Sequence, residues 1–95
     1  MKKYKKIKIG KEIIKAEICN TIFKKARGLM FRKSPGPLFF VFNTPTRQPI
    51  HSFFCKHFRA VWIKNGKIID DKIVHPWKFS VKPKENFTDL LEIPL

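Results

Sequence analysis

Ile7 and Ile9 alternate with lysines, the pair Gly10-Lys11 interrupts the pattern, and Ile14, Ala16 and Ile18 then alternate with Lys15 and Glu17. A period of two is that of a strand with one face covered, because successive strand side chains point to opposite sides. The pattern therefore predicts a β-hairpin at the start of the chain, with Gly10-Lys11 as its turn. The period then changes. Ile22, Ala26, Leu29 and Met30 fall at i, i+4, i+7 and i+8, on one face of a helix, and Asn20 or Thr21 stands where a cap is needed. One short helix is predicted near residues 21–31, ended by Pro35-Gly36-Pro37.

Leu38 to Phe42 is apolar at five successive positions. Its length, its Phe and Val content and the flanking prolines predict a strand buried on both faces. A polar, proline-bearing loop follows over Asn43 to Pro49. Further strands are expected at Ile50 to Cys55, Ala60 to Lys64, Lys67 to Val74 and Thr88 to Ile93, with Asn65-Gly66 as a tight turn because both residues tolerate positive φ. Pro76 and Pro83 mark a covering loop between the last two strands. Many short strands and one helix define a mainly β (β-rich α+β) domain, a small barrel or strongly curved antiparallel sheet.

Ninety-five residues predict one domain, 1–95, with residues 1–6 as a basic start expected to be flexible. Ten Phe, two Trp and 43% hydrophobic residues exclude a disordered chain despite 29% charged residues. The net charge of +14 is uneven: residues 1–33 hold twelve Lys/Arg against Glu12 and Glu17, residues 34–66 hold four bases and no acid, and residues 67–95 are balanced, five against five. Such a field attracts nucleic acid, anionic headgroups or acidic proteins whatever the fold. The same excess arises as solvated surface in the Lys-rich usage of thermophilic or AT-rich genomes. No apolar stretch approaches the roughly 18 residues that span a bilayer, and the basic start does not lead into a signal-type apolar run, so a cytoplasmic protein with no transmembrane segment is expected. Cys19 and Cys55 are expected as buried thiols, since two cysteines make no disulfide framework.

Candidate chemistry is sparse. No Gly-rich phosphate loop, carboxylate dyad or Ser/His/Asp set is present, and nothing in the sequence asks for a cofactor. If residues 50–57 are extended, His51 and Cys55 share a face but lie about 13 Å apart, too far for one zinc ion. Cys55 and His57, about 6.6 Å apart by the same spacing, could share an ion if His75 or Cys19 folded over them. An enzyme or metal site on Cys55 and His57 is thus one alternative. Arg27 and Arg32 carry planar donor forks suited to phosphate or carboxylate, yet on a helix they point about 140° apart. Trp77, between Pro76 and Lys78, could stack on a base beside basic residues; core packing is the competing role for the many aromatic residues.

The run Arg27-Gly28-Leu29-Met30-Phe31-Arg32, followed in order by Leu38 to Phe42, Ile50-His51-Ser52-Phe53-Phe54, the strand before Asn65-Gly66, Pro76-Trp77-Lys78 and Leu91-Glu92-Ile93-Pro94, resembles the family known as domain of unknown function 192. The resemblance covers residues 12–95. It implies a compact β-rich domain and brings no agreed activity. Where family members usually carry Pro, an aliphatic residue and Asp, this chain has Phe58-Arg59-Ala60, which leaves Arg59 without an obvious partner. The matching motifs single out Arg27, Arg32, His51, Ser52 and Trp77 as ligand-binding candidates. A binding or accessory module for a small anionic ligand or a protein is the leading expectation, and a nucleic-acid-binding module using the basic surface is the alternative.

Overall fold

The alternation at either end of Gly10-Lys11 does build a hairpin, and the rest of the sheet is laid against it. The computed structural model describes residues 3–19, 36–50, 57–78 and 80–95. Six strands, β1 (Tyr4–Ile9), β2 (Glu12–Cys19), β3 (Leu38–Thr46), β4 (Phe58–Lys64), β5 (Lys67–Val74) and β6 (Phe87–Pro94), form one sheet in the order β1-β2-β3-β6-β4-β5. All pairs are antiparallel except β2 and β3, which run parallel, Glu17 to Cys19 against Leu38 to Phe40. Among the described residues there is no helix. The helix expected near 21–31 and the strand expected at 50–55 fall, Ile50 apart, outside the described residues. Ile50 pairs with Val81 in an isolated bridge, with both backbone bonds below 3 Å.

Both tight turns use the residue types that their backbones require. Gly10 stands at φ +60, as a two-residue turn with positive φ at its first position demands. Asn65 and Gly66 stand at φ 51 and 78, the double positive φ of the other hairpin turn. The loop expected at Asn43 to Pro49 is shorter than the sequence suggests, since β3 runs on to Thr46. Its pairing with β6 shifts register between Val41 and Thr46, and this break accommodates Pro45, which has no N–H to give to a regular ladder.

Side chains alternate across the sheet into two separate cores. Cys19, Leu38, Phe40, Phe58, Ala60, Trp62, Val74, Phe87 and Leu90 pack on one face, with Ile50 and Val81 of the loops closing over them. Ile7, Ile9, Ala16, Phe39, Val61, Ile63 and Leu91 pack on the other. Leu38 to Phe42 is thus buried on both faces as its composition implies: Leu38 and Phe40 serve one core, Phe39 and Val41 the second. Ile7 and Ile9 of β1 share this second cluster with Val61 and Ile63 of β4. Glu12 of β2 exerts an attraction on Arg59 of β4, although three strand spacings of about 4.8 Å separate those strands in a flat sheet. The sheet curls into a half-barrel, and its two outer strands, β1 and β5, do not pair among the described residues.

Candidate functional site

The clearest concentration of charge lies on the outward face of the β1–β2 hairpin. The register sets Tyr4 against Glu17, Lys6 against Lys15 and Lys8 against Ile13. Side chains directly opposite in an antiparallel pair have Cβ atoms about 4.5–5.5 Å apart, and like charges so placed repel. Lys6, Lys8 and Lys15 are exposed, and the ion pairs Arg59–Asp71 and Lys72–Asp70 lie on the other hairpin. Lys15 lays its ammonium 4.9 Å from the centre of the Tyr4 ring. Tyr4 and Ile13 remain 51% and 69% exposed. The face therefore combines an aromatic plane, an apolar side chain and three ammonium groups, with Lys11 at the turn.

The β4–β5 hairpin treats its charges differently. Arg59 donates from Nε to Asp71 at 2.9 Å and from its terminal nitrogen to the same carboxylate at 2.5 Å. The hydrogen bond that Arg59 donates to Asp71 raises the Arg59 pKa above its ordinary value, with partial burial acting against it. Arg59, left without an obvious partner by the sequence, is thus paired with Asp71. Asp70 accepts the backbone N–H groups of Asp71 and Lys84, each at 2.9 Å. Burial pushes its carboxyl up, but these bonds and the charges of Lys72 and Lys84 prevail and lower its pKa. Lys72 donates to the Lys82 carbonyl at 2.7 Å and lies 5.8 Å from the Trp62 ring centre. These groups fasten the hairpin to the 75–86 loop.

At the far end of the same hairpin, His57 and His75 meet edge to face, their ring centres 4.8 Å apart. Both are exposed. Nearby in sequence, Trp77 is 58% exposed and sits at φ 63, a left-handed conformation uncommon for a bulky residue. Of the ligand-binding residues expected from sequence, Trp77 is in the described region. Arg27, Arg32, His51 and Ser52 lie outside the described residues, as does Cys55. Cys19 is fully buried, its Sγ 3.8 Å from the Glu17 carbonyl, so it is a core thiol on a different part of the sheet. Among the described residues no group of three or more His, Cys, Asp or Glu could hold a metal.

Two features escaped sequence reasoning. Glu17 and Glu92 are buried, 7% and 6% exposed, and flank Leu38 in one row across the sheet. Their alternation with apolar neighbours suggests a solvated face, but that face is covered here. The opposition of Lys6 and Lys15, by contrast, was available from the two-residue turn, which fixes Ile9 against Glu12 and so the rest of the ladder. Trp62 is wholly buried, and its indole N–H has no hydrogen-bond partner among the described residues.

No family model matches the sequence, and no curated protein matches it either. Two solved structures do resemble the fold. A protein of unknown function from Novosphingobium aromaticivorans DSM 12444 superposes with a TM-score of 0.80 at 16% identity, over 98% of this chain and 73% of that one. A protein from Sinorhizobium meliloti 1021 described as a "putative transcription regulator" gives 0.79 at 15% identity, over 98% and 79%. At such identities the likeness is one of fold. Among the described residues no helix is long and apolar enough to cross a membrane.

Proposed function

We propose that this domain is a binding module for an anionic polymer, and specifically for single-stranded nucleic acid, contacted by the outward face of the β1–β2 hairpin. The observation that carries the proposal is the direct opposition of Lys6 and Lys15 with Lys8 alongside. A like-charge cross-strand pair costs stability in the isolated protein, and an anion laid over it removes the repulsion. Lysines on one face follow a phosphate backbone as point charges, and the exposed ring of Tyr4 offers a plane on which a base stacks without regard to sequence. The description of the Sinorhizobium structure agrees with a nucleic-acid ligand, though its identity to this chain supports the fold alone. The ordered motifs also support membership of the domain of unknown function 192 family, which adds no activity.

The test is fluorescence anisotropy with single-stranded and duplex RNA and DNA across salt. Single strands should bind more tightly than duplex, and K6Q/K8Q/K15Q should flatten the slope of log affinity against log salt by about 2, at roughly 0.7 per lost phosphate contact. K64Q/K67Q/K82Q removes the same charge from elsewhere and should change the slope far less. Equal losses from the two triple variants would show a diffuse field and no specific face, and would end the proposal.

A further inference from the structure

We infer that His57 and His75 form a two-imidazole anchor for a divalent transition ion of the zinc, nickel and copper group. The inference is independent of the lysine face, which lies on the other hairpin. Phe58 pairs with Val74, so His57, one residue before β4, lies directly opposite His75, one residue after β5. This opposition depends on a register shift between Trp62 and Ile63. From the turn outwards Lys64 faces Lys67 and Ile63 faces Ile68, whereas beyond the shift Trp62 faces Asp70. Without the extra residue His57 would oppose Val74. Bulges of this kind re-aim side chains, and they are over-represented beside functional sites.

The spacing of the rings suits chelation. A metal–imidazole bond of about 2.0–2.1 Å puts each ring centre about 3.2 Å from the ion, so two ligands have centres about 4.5 Å apart at a right angle and about 5.2 Å apart at the tetrahedral angle. The observed 4.8 Å lies between these values. Both rings are exposed, and water can complete the coordination. The backbone below them is fixed: the His57 carbonyl accepts the Leu95 N–H at 3.3 Å, and Phe58 and Val74 are buried on either side. Imidazole is a ligand common to zinc, nickel and copper.

Calorimetric titration of the full chain with zinc chloride and with nickel chloride tests the site, combined with NMR of the histidine ring nitrogens. One ion should bind per chain, shifting the ring signals of His57 and His75 together. His57→Asn and His75→Asn should each weaken binding at least tenfold while leaving the melting temperature nearly unchanged, because both side chains are exposed. Binding should fade in acid, since protons compete for the imidazole nitrogens. An additional loss in Cys55→Ser would extend the donor set and support the assignment. Absence of saturable binding would show a packing pair only, and binding that survives removal of both imidazoles, or depends on Cys55 alone, would overturn the inference.

Discussion

The two hairpins of this sheet are built from the same parts, each with one lysine pair face to face, Lys6 with Lys15 and Lys64 with Lys67, and they differ in how they hold the rest of their charge. Each has a two-residue turn with positive φ at glycine, and each carries several basic side chains. In the β4–β5 hairpin Arg59 and Lys72 have Asp71 and Asp70 within reach, and these charges are consumed inside the molecule, binding strand to strand and strand to loop. In the β1–β2 hairpin Lys6 faces Lys15 and Lys8 faces Ile13, while the acid of the same face, Glu17, is buried opposite Tyr4. Burial follows the same division. β4 is covered on both faces, whereas the lysine face of β1–β2 is open to water. Charge placed beside a partner becomes structure, and charge denied a partner is left to act outward.

The largest expected effect tests the structural side of this contrast. Trp62→Ala, in the middle of β4, should lower stability by about 3–5 kcal/mol, whereas Ile13→Ala on the open hairpin should change it by no more than about 0.5 kcal/mol; urea denaturation of both variants measures the difference. Trp62→Phe should cost clearly less than Trp62→Ala, because it removes an indole N–H that is buried without a partner among the described residues along with part of the packing. Equal sensitivity at Trp62 and Ile13 would mean that the two hairpins are not energetically distinct.

A smaller effect sharpens the outward side. Lys6→Glu replaces a repulsive pair with an attractive one opposite Lys15, and should stabilise the fold by about 0.2–1 kcal/mol while weakening nucleic-acid binding. Stability and affinity moving in opposite directions is the mark of a surface kept for a ligand. A variant that loses both, or gains both, contradicts the proposal. The smallest effect concerns pH. Asp70 has a lowered pKa in the folded protein, so its contribution to stability is present above the unfolded carboxyl value of about 3.9 and is lost as pH falls through the folded value. Melting curves of the parent and of Asp70→Asn should therefore converge in acid. A gap that stays constant would show that Asp70 contributes through shape and not through its charge.

Much of the sheet was legible because its signals are local. Alternation at Ile7, Ile9, Ile14 and Ile18 and the turn residues Gly10 and Asn65-Gly66 specify two hairpins without reference to the rest of the chain, and the run Leu38 to Phe42 betrays a strand covered twice. The parallel union of β2 and β3, and the insertion of β6 between β3 and β4, depend on contacts between distant segments that no local pattern announces. The candidate sites divide likewise. The density of lysine was plain in the sequence, and the facing of Lys6 and Lys15 could be counted from the turn. The meeting of His57 with His75, and the alignment that lets Arg59 reach Asp71, hinge on one irregular residue in β5, which simple alternation cannot place. Burial of Glu17 and Glu92 was hidden because an alternating acid reads as solvent-facing until something covers that face.

The half-barrel leaves β1 as an outer strand, and an outer strand offers its unused backbone groups to any other chain that comes alongside. Lys5, Lys6 and Lys8 stand along that strand; rows of like charge of this sort keep two copies from joining edge to edge. Added salt shortens the reach of that repulsion to a few ångströms at molar concentration. On the proposed function, a single row of lysines sets both what the molecule attracts and how close its own copies can come.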